Sequence, residues 1–307
     1  MSQILHYNNC PVCASADIKN VLSVKDYTVS GEMFAIAECN DCSLRFTQDV
    51  PDEDSISPYY KSENYISHTN TSKGLINRLY QAVRKITLQQ KRKLIEKTTG
   101  RKKGQLLDVG SGTGAFVNEM KENGWQVTGL EPDADAVSVA KQLYNLELKN
   151  INQFYKLPAD SFDAITLWHV LEHVHVLPAY VKQLKMLLKN DGKLFIAVPN
   201  YTSKDGSVYN DDWAAYDVPR HLYHFSPKSI KVLVEKNGMK LLQHQPMWFD
   251  SFYISMLSSK YKNARLNDGV GQGKANLVTA FFNGIRSNIK AMNDVKQCSS
   301  VIYIIGK

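Results

Sequence analysis

With 307 residues, 43% hydrophobic and 22% charged, the chain has the make-up of a folded globular protein, which excludes a disordered or fibrous one. No run approaches the roughly 18 uncharged apolar residues needed to cross a bilayer. Met1–His6 lacks the basic and apolar stretches of a secretory signal, so the expectation is a cytoplasmic protein without a transmembrane segment. The formal charge of +7 is local: Lys73 to Lys103 holds eleven Lys or Arg and one acid, a balance of +10, and the rest of the chain carries −3. An electrostatic partner should meet that segment first.

The first fifty residues contain Cys10-Pro11-Val12-Cys13 and, after twenty-five intervening residues, Cys39-Asn40-Asp41-Cys42. Two intervening residues let one turn aim both thiolates at a single ion, and two such turns complete the four soft donors of tetrahedral zinc. Residues 1–50 therefore read as a zinc ribbon with structural Zn2+ on Cys10, Cys13, Cys39 and Cys42. So short a segment buries little core, and an ion compensates. Cys298 stands alone and is most simply a core residue.

Residues 51–104 divide into a polar, tyrosine-rich stretch over 51–72, read as a loop or cover, and a helix. Leu75, Leu79, Val83 and Ile86 recur at helical spacing there, with basic residues on the other side. Few aromatics interleave with those charges, so nucleic acid is not the favoured partner.

From Gln105 short apolar strands alternate with amphipathic helices. Strands are predicted at 106–109, 126–130, 162–167, 193–198, 240–247 and 301–305, with a further one at Leu146–Leu148. Helices are predicted at 116–123, 134–144, 177–188 and 229–236. The alternation means an α/β fold, a doubly wound and mostly parallel sheet over 105–307. Residues 251–297 interrupt its last two strands as a long insertion, read as an acceptor-binding lid, an oligomer contact or a membrane-surface helix. The sequence leaves these open, together with the oligomeric state.

Asp108-Val109-Gly110-Ser111-Gly112-Thr113-Gly114 follows the first of these strands and opens a helix. Such a turn lets ligand atoms approach the backbone at a helix start. Gly110, Gly112 and Ala115 would also satisfy a dinucleotide fingerprint. Asp108 argues against it, because a buried carboxylate repels a pyrophosphate and suits the ammonium of an amino-acid moiety. Gly114 also comes one residue early for that pattern. Both favour S-adenosyl-L-methionine over a nicotinamide cofactor. At the next strand end Glu131, followed by Pro132, can accept from two ribose hydroxyls.

With Phe162-Asp163 and His169-Val170-Leu171-Glu172-His173, these residues resemble the class I S-adenosylmethionine-dependent methyltransferases, in particular the branch with an N-terminal four-cysteine zinc ribbon. The resemblance implies a Rossmann-like, seven-stranded sheet with an antiparallel last strand. It also implies methyl transfer to oxygen or carbon of a small-molecule acceptor such as a sugar, lipid or secondary-metabolite intermediate. The expected cofactor residues are Asp108, Gly110, Ser111, Gly112, Gly114, Glu131, Pro132, Trp168 and His169, with Trp168 offering an aromatic face to the adenine or the sulfonium.

Proton removal falls to Pro219-Arg220-His221-Leu222-Tyr223-His224-Phe225-Ser226. In zinc-ribbon sugar C-methyltransferases a histidine that begins a similar His-x-Tyr-x-Phe-Ser stretch acts as base. The resemblance carries that role to His221, with Tyr223 and His224 beside it. The Tyr-His-Glu that precedes the histidine there is Val218-Pro219-Arg220 here, so an oxygen acceptor is at least as well supported. His173 and His175 read as structural. The competing readings are a methyltransferase acting on RNA or protein, a noncatalytic cofactor-binding or zinc interaction protein, and a nicotinamide oxidoreductase.

Overall fold

The computed structural model describes residues 4–61, 75–266 and 275–307, with side chains from Val83 onward in the helix that begins at Leu75. Two compact units form. One comprises residues 1–65, 169–181 and 197–304, the other 66–168, 182–196 and 305–307.

The chain opens with β1 (Ile4–Leu5), β2 (Ile18–Lys25), β3 (Met33–Cys39), β4 (Arg45–Thr47) and β5 (Val50–Pro51). β2, β3 and β4 pair antiparallel in sequence order, and β1 pairs with β5. The turn after β2 closes on Asp26, whose carboxylate accepts the backbone N–H groups of Thr28, Val29 and Ser30. That turn chemistry is local and suits an aspartate. Helix α1 (Leu75–Thr99) follows. Ile95 is fully buried as the periodicity requires, but Ile86 is 47% exposed, so the apolar stripe is narrower than its spacing suggests. Of the loop expected over 51–72, residues 51–61 are described and include a short 3-10 turn at Ser57–Tyr60, and 62–72 lie outside the described residues.

Then come β6 (Gln105–Val109), α2 (Ala115–Glu122), β7 (Gln126–Leu130), α3 (Ala134–Tyr144), β8 (Phe162–Trp168), α4 (Leu177–Leu187) and β9 (Leu188–Pro199). β6 pairs parallel with β7 and β8, Asp108 standing opposite Gly129 and Thr166. The first six residues of β8 are buried, as a strand covered on both faces must be. Asp133 caps α3 by accepting from Asp135 and Ala136 N–H.

The C-terminal part supplies α5 (Lys204–Tyr209), β10 (Tyr223–His224), α6 (Pro227–Lys236), β11 (Lys240–Pro246), α7 (Asp250–Leu266), α8 (Leu277–Asn293) and β12 (Ser300–Gly306). Strand order in the central sheet is β11-β12-β9-β8-β6-β7. Six strands form it among the described residues; the expected strand at Leu146–Leu148 is not formed, and next to it only an isolated parallel bridge joins Leu130 to Lys149. Leu146 and Leu148 instead pack with Val117 and Ala140, which turns the segment inward before a ladder can grow. Residues 251–297 form the helix pair α7–α8. Gly284 lets them approach, since a Cβ there would stand 2.7 Å from Phe252 Cδ1. Gly269–Gly273 of that segment lies outside the described residues. Among the described residues no helix is long and apolar enough to cross a membrane.

Candidate active site

The glycine turn is built by backbone. Gly110, Gly112 and Gly114 all take positive φ (71°, 53° and 76°), and the N–H groups of Gly110 and Ser111 both donate to the Leu130 carbonyl, each at 2.9 Å. A Cβ on Gly112 would meet nothing within 4 Å, so its surface is open to a ligand, whereas on Gly114 it would press Leu146 and Ala140 at 2.9 and 3.0 Å. The two glycines therefore serve different ends: approach from outside, and packing of helices within.

Two carboxylates flank this turn. Glu131 accepts the Gly112 N–H at 2.6 Å and the Asp133 N–H at 3.0 Å. A carboxylate offers about four acceptor positions, so bonds to ribose hydroxyls are compatible with these two. Asp108 is 1% exposed and accepts the Thr166 hydroxyl at 2.6 Å. Burial pushes its acid up to about 6, against the opposing pull of Thr166, Ser111 and the positive charge of Lys91. An arriving ammonium would restore its charge. Ser111 gives its hydroxyl to the Asp108 backbone carbonyl, and Pro132 leads from Glu131 to the α3 cap at Asp133.

Trp168 ends β8. Phe116 meets its ring edge-on at 5.5 Å, and Lys91 Nζ stands 4.1 Å from its centroid. The aromatic face therefore already attracts a cation. Other charges of α1 are engaged too: Arg92 binds Glu96 and Glu119, and Arg84 reaches Thr113.

In the other unit, His169 is the residue after Trp168 and has φ +59°, a left-handed conformation uncommon outside glycine. Its Nε2 lies 2.8 Å from Asp250 and its Nδ1 3.3 Å from Glu172. Burial pulls the imidazole down, but the two carboxylates outweigh it and hold the ring protonated to about 10. Glu172 is fully buried, yet the hydrogen bond and charge of His169 overcome desolvation and keep it ionised. Its Oε2 has no hydrogen-bond partner.

His173 and His221 stack edge-to-face at 4.6 Å between centroids. His173 Nδ1 lies 3.0 Å from the Arg220 carbonyl and from the Tyr60 hydroxyl; His221 Nδ1 lies 2.8 Å from the Ala215 carbonyl. A carbonyl only accepts, so each Nδ1 carries a proton; His221 Nε2 faces Asp217 Oδ2 at 3.9 Å. Burial, seconded by His221, lowers His173 to about 4 and keeps it neutral. The loop beneath is tied by Arg220, 1% exposed, which donates to Asp217, Asp26 and the Tyr59 carbonyl.

Tyr223 and His224 are placed elsewhere. They form β10, which extends the N-terminal sheet beside β4, Tyr223 opposite Phe46 and His224 opposite Arg45. Both are buried; the Tyr223 hydroxyl donates to the His175 carbonyl, and His224 Nε2 meets Thr47 Oγ1. Glu172, Asp250, Asp217, Thr166 and Lys91 were not singled out as site residues by the sequence. The Glu172 signal was present in the His-x-x-Glu-His spacing, which puts Glu172 and His169 three residues apart in a tight turn.

The four cysteines converge. Cys10 and Cys42 Sγ are 3.4 Å apart, as are Cys13 and Cys39, and all four lie within 4.8 Å of one another. Zinc–thiolate bonds of about 2.3 Å put tetrahedral ligands about 3.8 Å apart, so the cluster fits that ion. Hydrogen bonding to Cys42 lowers Cys10 to about 5, and Cys42 is driven far up in return.

A family model described as a methyltransferase domain matches residues 80–244. The chain belongs to that family. It is 35% identical over 122 residues to the ubiquinone biosynthesis O-methyltransferase of Glaesserella parasuis serovar 5, covering 36% of this chain and 51% of the relative. The enzyme of the same name from Xanthomonas axonopodis pv. citri is 29% identical over 151 residues, 45% of this chain and 63% of the relative. The chain thus spans roughly half to under two thirds of the curated relatives it matches. Among solved structures, a SAM-dependent methyltransferase from Archaeoglobus fulgidus is similar at TM-score 0.47 and 19% identity, over 73% of this chain and 94% of that one.

Proposed function

We propose that the protein transfers the methyl group of S-adenosyl-L-methionine to an oxygen of a small-molecule acceptor. The observation that carries this reading is the buried Asp108 at the end of β6, whose acid is pushed up by burial despite the pull of Lys91, beside a glycine turn whose open side is Gly112. A buried carboxylate of that kind favours a cationic ligand group, and the amino-acid end of the methyl donor supplies one. Glu131 holds the ribose, Trp168 offers its face to positive charge, and the Gly110–Gly114 backbone fixes the methionine part.

The donor supplies an activated methyl on a positively charged sulfur; the chain's own task is to bind, align and deprotonate. A hydroxyl acceptor must lose its proton, and the Nε2 atoms of His221, 3.9 Å from Asp217 Oδ2, and of His173 are the bases in their unit. His221 is the stronger candidate, since His173 is held at low basicity. Tyr223 and His224 pack the ribbon sheet, and His169, bound by two carboxylates, donates rather than accepts. An oxygen acceptor follows the names of the curated relatives; carbon remains the runner-up. We further assign structural Zn2+ to Cys10, Cys13, Cys39 and Cys42, where it ties β3 and the first turn together and takes no part in transfer.

The test is labelled methyl donor with fractionated cell extract and identification of the labelled product. Labelled product that is lost in His221→Ala, with donor binding retained, supports the reading; donor bound but never turned over in any fraction contradicts it. Zinc is checked by metal analysis of the pure chain, one equivalent in wild type and none in Cys39→Ser.

A further inference from the structure

We propose that helix α8 rests on a membrane surface, its outward apolar face among the acyl chains and its basic edge on anionic lipid headgroups. The helix is oriented against the usual rule for a folded protein. Its inward positions hold small residues, Ala280, Gly284, Ser287 and Ala291, all buried, and Ser287 donates to the buried Asp205 at 2.7 Å. Its outward positions hold large ones. Leu277, Val278, Phe281, Phe282, Ile289 and Met292 are 53–75% exposed, and no described residue covers them. At about 100° per residue these six fall on one continuous arc of the helix. Core packing puts the bulky face inward, so folding alone does not account for these side chains. A contiguous apolar patch of this kind marks a surface that is covered in use.

Charge decides what covers it. Arg286 and Lys290, both exposed, follow directly on the apolar arc, and α8 contains no acid. Between Ser251 and Asn293 the chain holds six Lys or Arg against one acid. A second copy of the chain would bring like charges together across a two-fold contact, with no carboxylate on α8 to pair with them. An anionic bilayer meets both demands at once, with acyl chains for the arc and phosphates for the guanidinium and the ammonium. Beside the basic edge lies a cleft of about 530 Å³ walled by Lys204, Ser207, Lys290 and Asn293, with Asp294 as an acid on its rim. Its size and two ammonium groups suit a phosphate headgroup.

Membrane contact through α8 goes beyond methyl transfer and does not depend on that reading. The helix, the cleft and Asp205 all belong to one compact unit.

The test is cosedimentation of the full-length chain with vesicles of phosphatidylcholine, either pure or mixed with an equal part of phosphatidylglycerol. The basic segment 73–103 can itself attract anionic vesicles, so substitutions on α8 carry the decision. The wild type is expected to bind the mixed vesicles, and the pure ones about tenfold more weakly. Phe281→Ser with Phe282→Ser should weaken binding to the mixed vesicles by more than about tenfold, and Arg286→Gln with Lys290→Gln by about tenfold. Should a double variant unfold early, Phe281→Trp decides in its place: its emission should shift to the blue when mixed vesicles are added. No binding by the wild type, equal affinity for the two vesicles, α8 variants that bind like the wild type, or an unshifted Phe281→Trp overturns the proposal. So does a dimer that Phe281→Ser with Phe282→Ser dissolves, in a protein that leaves vesicles alone. Methyl-donor binding is measured without vesicles, so failure of the methyltransferase reading and failure of this surface are told apart.

Discussion

Asp108 and Glu172 are both buried carboxylates, one in each compact unit, and the protein treats them in opposite ways. Glu172 has a cation of its own, the His169 imidazolium, and is held ionised against the pull of burial. Asp108 has the neutral hydroxyls of Thr166 and Ser111 and a weaker pull from Lys91, and burial still drives it toward the protonated form. One charge is settled inside the fold. The other is held at a cost until a ligand arrives, which is how a binding site differs from a structural ion pair of the same burial.

Replacing the two acids should therefore move stability in opposite directions. Glu172→Gln strands the His169 charge on Asp250 alone and is expected to destabilise by about 3 kcal/mol, read by denaturant unfolding. Asp108→Asn keeps an acceptor for Thr166 and removes a buried charge, so it should stabilise the free protein by about 1–3 kcal/mol at neutral pH. Loss of stability in both variants would erase the contrast.

The pH dependence sharpens it. Asp108 titrates higher in the fold than its ordinary 3.8, so its contribution to stability is full below that value and fades as pH rises through about 6. Glu172 is shifted the other way, and its contribution is lost only as pH falls through its depressed value. His169 keeps its charge to about 10, its contribution full below 6.5 and lost as pH rises through about 10. Of these three, Asp108 alone changes state near pH 6. Methyl-donor affinity should fall about tenfold from pH 7 to pH 5, and the fall should vanish in Asp108→Asn. The smallest effect concerns the turn: Gly112→Ala meets no atoms but must hold φ +53°, costing about 1 kcal/mol of stability. Its methyl stands on the open side, so donor affinity should drop more than stability does.

Much of the first site was legible in the sequence because its parts are local. Asp108 through Gly114 are consecutive, and Glu131 stands at the end of the next strand, where a parallel pair must bring it back. Cys10, Cys13, Cys39 and Cys42 were legible for the same reason, spacing being the whole signal. The second cluster was not, since His173 and His221 come together through a loop tied by the buried Arg220. That tie depends on Asp26, nearly two hundred residues upstream. Tyr223 and His224 looked chemical because they sit beside His221, but alternation along a strand and the pairing of β10 with β4 carry them into the ribbon sheet. Leu146–Leu148 has strand composition and lost its strand to packing.

Calorimetry of S-adenosyl-L-methionine with the zinc-replete chain, in wild type and Asp108→Asn, is the most direct trial of the central claim. Saturable binding at one site per chain, weakened about a hundredfold by the substitution while the variant unfolds no earlier than the parent, is the predicted result. Absence of binding heat, or equal affinity in the two proteins, would contradict it.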